Sequence, residues 1–114
     1  MTQTTELGKI ENIRFGMGGY QDAQLGLTVT LGSKKSCWGV QDFKGFWNYE
    51  VTASEHSKWT EVDRDLEWVN LMKFVGELLS KAKKASVEDL RGVPVEATFE
   101  GMTLKSWRIL EEVL

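Results

Sequence analysis

The chain has 114 residues, 41% of them hydrophobic, and a formal net charge of −3. That length suits one domain with one core and leaves no room for two, and the apolar share excludes wholesale disorder. The negative balance argues against a protein held on duplex DNA by bulk electrostatics, which requires many Lys and Arg contacts to phosphate.

No apolar run approaches the roughly 20 residues that span a bilayer, and the start of the chain lacks the basic-then-apolar pattern of a signal peptide. The expectation is a cytoplasmic protein without a membrane partner. Cys37 is the only cysteine, so no intramolecular disulfide forms, which suits a reducing compartment. Cys37 is expected to be buried and inert. A thiol nucleophile working with His56 is recognised by geometry, and spacing supplies none.

In chain order, Met1 to Thr5 are polar and expected to fray. Leu7 to Phe15 reads as a strand with Ile13 and Phe15 on one face and Ile10 on the other. Gly16, Gly18 and Gly19 then break the pattern as a turn. They match neither the dinucleotide fingerprint nor a Gly-Lys-Ser/Thr phosphate loop. Leu25, Leu27, Val29 and Leu31 alternate with Gly26, Thr28 and Thr30, which predicts a strand with one buried face. Gly32 to Lys35 reads as a turn. A short third strand is expected over Cys37 to Val40, completing an antiparallel meander. Phe43 to Tyr49 fits neither period and is expected to be an irregular strand plus loop.

A helix is expected from Glu61 to about Lys84. Thr60 is its N-cap, with Asp63 at capping-box spacing. Trp68, Leu71, Val75, Leu78 and Ala82 form the apolar stripe, widened by Met72 and Leu79. Acidic residues crowd its start and Lys81, Lys83 and Lys84 its end, both favourable to the helix dipole. Gly76 costs roughly 1 kcal/mol relative to Ala and suggests that another element approaches there. Ser86 to Leu90 reads as a further helical turn. Val93, Val95, Ala97 and Phe99 alternate with polar residues as a strand, and Pro94 suits an edge or a strand's first residues. Glu100-Gly101 is a turn, and Thr103 to Leu110 returns as the second arm of a hairpin, with the last residues continuing it. The expected fold is α+β: an antiparallel sheet, built as a three-stranded meander and then a C-terminal hairpin, packed on one long central helix.

No recognised metal spacing or catalytic motif appears, so no cofactor and no enzymatic activity are expected. His56 is the only histidine. It is read as solvent-facing or hydrogen-bonded, though Asp22, Asp42, Glu55 and Asp63 are carboxylates that could meet it in space. The unusual feature is aromatic density: Trp38, Phe43, Phe46, Trp47, Tyr49 and Trp59 crowd one stretch. Most aromatics in a small domain are core. The sharper reading is a platform that stacks on bases or a small ring, or anchors a partner protein. Lys34, Lys35, Lys44 and Lys58 accompany it.

The segments Gly18-Gly19-Tyr20-Gln21-Asp22-Ala23, Gly26 to Gly32, Trp38-Gly39-Val40, Ser54 to Glu61, Val93 to Gly101 and Leu104 to Leu110 together resemble a family of small proteins without an assigned activity, encoded by tailed phages and prophages of proteobacteria. The likeness covers nearly the whole chain. It implies a phage accessory protein made in the bacterial cytoplasm. Small phage proteins of this size often occupy a host protein, including components of defence systems such as CRISPR complexes.

Three readings of function follow. The first is non-catalytic binding to a host protein or complex. The others are a small-ligand or nucleotide-binding module and a single-stranded nucleic-acid binder in phage replication or recombination. The candidate surface is Tyr20, Asp22, Trp38, Asp42, Phe43, Lys44, Phe46, Trp47, Tyr49, His56, Lys58 and Trp59. A homodimer has two candidate contacts, the strand containing Pro94 and the exposed side of the helix.

Overall fold

The structure is a computed structural model that describes residues 2–19, 24–47 and 60–114. It is α+β. The strands are β1 (Gln3–Gly18), β2 (Gln24–Ser33), β3 (Trp38–Trp47), β4 (Pro94–Glu100) and β5 (Thr103–Ile109), and the helix is α1 (Glu61–Ala82). Short 3₁₀ turns cover Val87–Leu90 and Glu111–Val113. The C-terminal residues therefore turn away instead of extending β5.

The strands form one antiparallel sheet in the order β3-β2-β1-β4-β5. A meander and a separate hairpin do not describe it, because β1 joins the two halves. Its first half, Gln3 to Lys9, pairs with β4, and its second half, Lys9 to Gly18, pairs with β2. Gln3 to Thr5 were expected to fray, but they pair with Thr98 to Glu100. Nor do the glycines after Phe15 end the strand, since Gly16 and Gly18 pair with Gly26 and Gln24. The strand with Pro94 is not an edge either: β4 lies between β1 and β5, and Pro94 takes its first position, where a missing N–H is tolerated.

A register shift between Ile10 and Asn12 inserts one residue into β1. One extra residue reverses the alternation. Ile10 and Ile13 are therefore both buried, although strict alternation puts them on opposite faces. Beside the shift, the Ile10 N–H donates to the Val93 carbonyl at 2.9 Å, and the Gly92 N–H donates to the Ile10 carbonyl at 2.7 Å. Leu27, Val29 and Leu31 of β2 and Val95, Ala97 and Phe99 of β4 are buried as their spacing predicts.

β3 runs unbroken through Phe43 to Trp47, where an irregular strand was expected, paired with β2 from Ser33↔Trp38 to Gln24↔Trp47; the rest of that expected stretch, from residue 48 on, lies outside the described residues. Its pairing partner, not its own periodicity, makes it a strand. The turn before it spans Lys34 to Cys37. The Ser36 N–H donates to Ser33 Oγ at 3.2 Å, a local bond that favours a turn. Cys37 is exposed and left-handed, with φ 56°, contrary to the expected burial.

The sheet curls. Trp38 of β3 meets Phe99 of β4 edge-on with centroids 5.5 Å apart, although two strands separate them in the sheet. Gly8 permits this, because a Cβ there would sit 2.6 Å from the Trp38 ring. Gly26 tightens the other end, since its added Cβ would run into the backbone at Lys44 and Gly45. The core fills the hollow of the curl; Leu78 and Ala82 of α1 belong to it, and Leu71 is buried as well.

The helix begins as predicted. Asp63 N–H donates to Thr60 Oγ1 at 3.1 Å, and Thr60 N–H donates to Asp63 Oδ2 at 3.0 Å, a full capping box worth about 1 kcal/mol. It ends at Ala82, where left-handed Lys83 (φ 58°) and a Lys84 N–H bond to the Leu79 carbonyl close a Schellman turn. Met72 does not widen the buried stripe; it is 53% exposed. Among the described residues, nothing lies within 4 Å of a Cβ added at Gly76. Among the described residues, no helix is long and apolar enough to cross a membrane.

Candidate functional site

The curl brings the two sheet edges, β3 and β5, to either side of α1. Between them lies a cleft of about 310 Å³. β3 supplies Asp42 and Lys44, α1 supplies Phe74 and Lys81, and β5 supplies Trp107 and Arg108. The register explains why two polar side chains of β3 point there. Asp42 pairs with Val29 and Lys44 with Leu27, so both lie on the face that β2 buries. At the sheet edge that face meets the cleft instead of the core.

Trp107 is the best-held member. Its Nε1 donates to Asp42 Oδ2 at 2.7 Å, and its ring meets Phe74 at 6.5 Å and 88°, an edge-to-face contact. Its register partner on β4 is Ala97, a small side chain that leaves room for the indole. The result is a rigid aromatic wall with its polar atom already satisfied.

Most of the cations around it are paired. Lys81 Nζ lies 2.8 Å from Glu77, and Lys105 Nζ lies 3.0 Å from Glu100. Arg108 bridges Glu96 at 3.2 Å and Glu112 at 2.9 Å. The hydrogen bonds from Arg108, with help from its own backbone, hold the Glu112 carboxyl down at about 2. The same two carboxylates raise the Arg108 pKa, and the Glu77 hydrogen bond and charge raise that of Lys81. Of the cleft's four cations, Lys44 alone has no ion pair among the described residues. The arrangement therefore offers a fixed indole face, an engaged carboxylate and one uncommitted ammonium.

Of the residues singled out from sequence, Asp42 and Lys44 come together here. Trp38 does not; it is half-buried and packs on Phe99 and Gly8. Phe43 also lies apart, because neighbours along a strand point to opposite faces. Its ring lies over Gly18, with 3.1 Å left for a Cβ there. Phe46 and Trp47 contribute backbone pairs to Leu25 and Gln24. Tyr20, Asp22, Tyr49, His56, Lys58 and Trp59 lie outside the described residues. So does any meeting of carboxylates at His56, while Asp63 is engaged in the helix cap. Among the described residues, no group of three or more His, Cys, Asp or Glu is placed to hold a metal ion.

Sequence reasoning missed Trp107, Phe74 and Arg108. Alternation along β5 shows which face Trp107 takes, but nothing local says that this face meets β3. No protein-family model, no curated protein and no solved structure matches the chain.

Proposed function

We propose that the protein acts by non-catalytic binding and takes a side chain or short segment of a partner protein into the cleft between β3, α1 and β5. The Asp42–Trp107 bond carries this reading. It fixes an indole beside Lys44 and Arg108 before any partner arrives. Trp and Arg dominate binding hot spots, and a wall fixed in advance loses little entropy on association. An acidic group of the partner suits Lys44. The resemblance to phage and prophage proteins supplies the setting: an accessory protein that occupies a host protein or complex, a CRISPR-type defence complex among the candidates. The test is affinity capture from a proteobacterial host lysate. Wild-type protein retains a specific partner and Lys44→Glu releases it; no specific partner, or equal retention by the variant, refutes the reading.

A second reading rests on the same pairing of cations with an aromatic face. The cleft's volume sits at the lower bound of the roughly 300–1,000 Å³ typical of ligand pockets, which suits a nucleotide fragment. Thermal shift against a nucleotide panel decides it, because a ligand that binds only the folded state raises the melting temperature. A flat response to every nucleotide removes it.

A further inference from the structure

The helix has a second apolar face. Val62, Leu66, Val69 and Met72 are 76%, 59%, 47% and 53% exposed. Val62, Leu66 and Val69 recur at four- and three-residue steps, so they form one stripe along the helix. Leu71, Leu78 and Ala82, on the opposite side, are the helix's buried residues. An apolar stripe rimmed by charge marks a surface made for contact.

The geometry points to a second copy of this chain as its occupant, with the two α1 helices packed antiparallel about a twofold axis between Leu66 and Val69. Charge selects this partner and this direction. The stripe is bordered by Glu61 and Asp65 near its start and by Lys73 near its end. Antiparallel packing about that axis sets Lys73 of one copy against the acidic start of the other and also opposes the two helix dipoles. At 1.5 Å rise per residue, Lys73 of the second copy comes level with the turn between Glu61 and Asp65. Within one chain, neither Glu61 nor Lys73 has an ion pair among the described residues. Leu66 of each copy then packs on Val69 of the other, and Val62 lies along the aliphatic stem of the opposing Lys73. A parallel pair would instead stack acid on acid. The cleft uses another flank of α1, through Phe74 and Lys81, so pairing leaves it open.

The test is sedimentation of full-length protein over a concentration series, with melting temperatures alongside. Wild type sediments as a dimer. Leu66→Glu sediments as a monomer and melts at the temperature of wild type diluted until it is monomeric, because the side chain is exposed in the single chain. Lys73→Glu weakens the dimer at least tenfold, about 1.4 kcal/mol, and adding Glu61→Lys with Asp65→Lys restores it. A monomeric wild type overturns the proposal, as does a dimer indifferent to Leu66→Glu. A Leu66→Glu monomer that melts below monomeric, dilute wild type also overturns it, since the stripe would then be covered from within its own chain.

Discussion

Trp107→Phe removes one hydrogen bond and keeps the aromatic contact with Phe74. The bond spans the two sheet edges, from Trp107 Nε1 to Asp42 Oδ2 at 2.7 Å, and is partly buried. A hydrogen bond to a charged acceptor contributes about 1.5–3 kcal/mol, and partial burial puts this one near the lower end, about 1.5–2 kcal/mol. Unfolding entropy near 2.1 cal/mol/K per residue gives about 0.24 kcal/mol/K for this chain, so each kcal/mol moves the melting temperature by about 4 °C. The loss predicted from the bond alone is therefore roughly 6–8 °C. Phe also fills less space than Trp, so the bond must be isolated by a double-mutant cycle with Asp42→Ala. Urea unfolding of the four proteins should give a coupling energy of at least about 1 kcal/mol. Additivity within about 0.5 kcal/mol would show that the bond does not hold the edges together, and the idea of a wall fixed in advance would fall with it.

Gly26→Ala places a Cβ against the backbone of Lys44 and Gly45, so β2 and β3 must part; a loss of about 3 kcal/mol is expected, at the upper end for overpacking. Gly76→Ala, with no described residue within 4 Å of the added Cβ, should instead gain up to about 1 kcal/mol, and equal effects at the two glycines would contradict the curl. The Glu112 carboxyl should titrate near 2 by NMR, down from the ordinary 4.5. A lowered folded pKa contributes stability above the ordinary value and loses it as pH falls through the folded one, so the Arg108–Glu112 contribution fades between 4.5 and about 2. Arg108→Lys should move the Glu112 midpoint upward, and an ordinary midpoint in wild type would refute the pairing.

Local rules carried far where neighbours in sequence set the outcome. Thr60 and Asp63 cap α1 because a capping box is closed by residues three apart. Leu27 to Leu31 and Val93 to Phe99 bury alternate side chains because one face of each strand meets the core throughout. These rules failed at Ile10, where one inserted residue reversed the alternation, and over Phe43 to Trp47, where pairing with β2 imposed a strand that periodicity does not announce. They failed at Cys37 too, whose left-handed turn carries the thiol out to solvent.

The site was half legible. Asp42 and Lys44 stood out among aromatic neighbours, but the aromatic that they meet is Trp107, from a distant hairpin. The sequence by itself determined the class of fold, the helix with its cap and buried stripe, and the faces of β2 and β4, since each depends on interactions within a few residues. Only the tertiary structure decided that β1 joins both halves of the sheet and that the sheet curls until its edges flank α1. Those outcomes depend on close backbone approaches at Gly8 and Gly26 and on a bond between Asp42 and Trp107, contacts between residues far apart in the chain that no local pattern encodes.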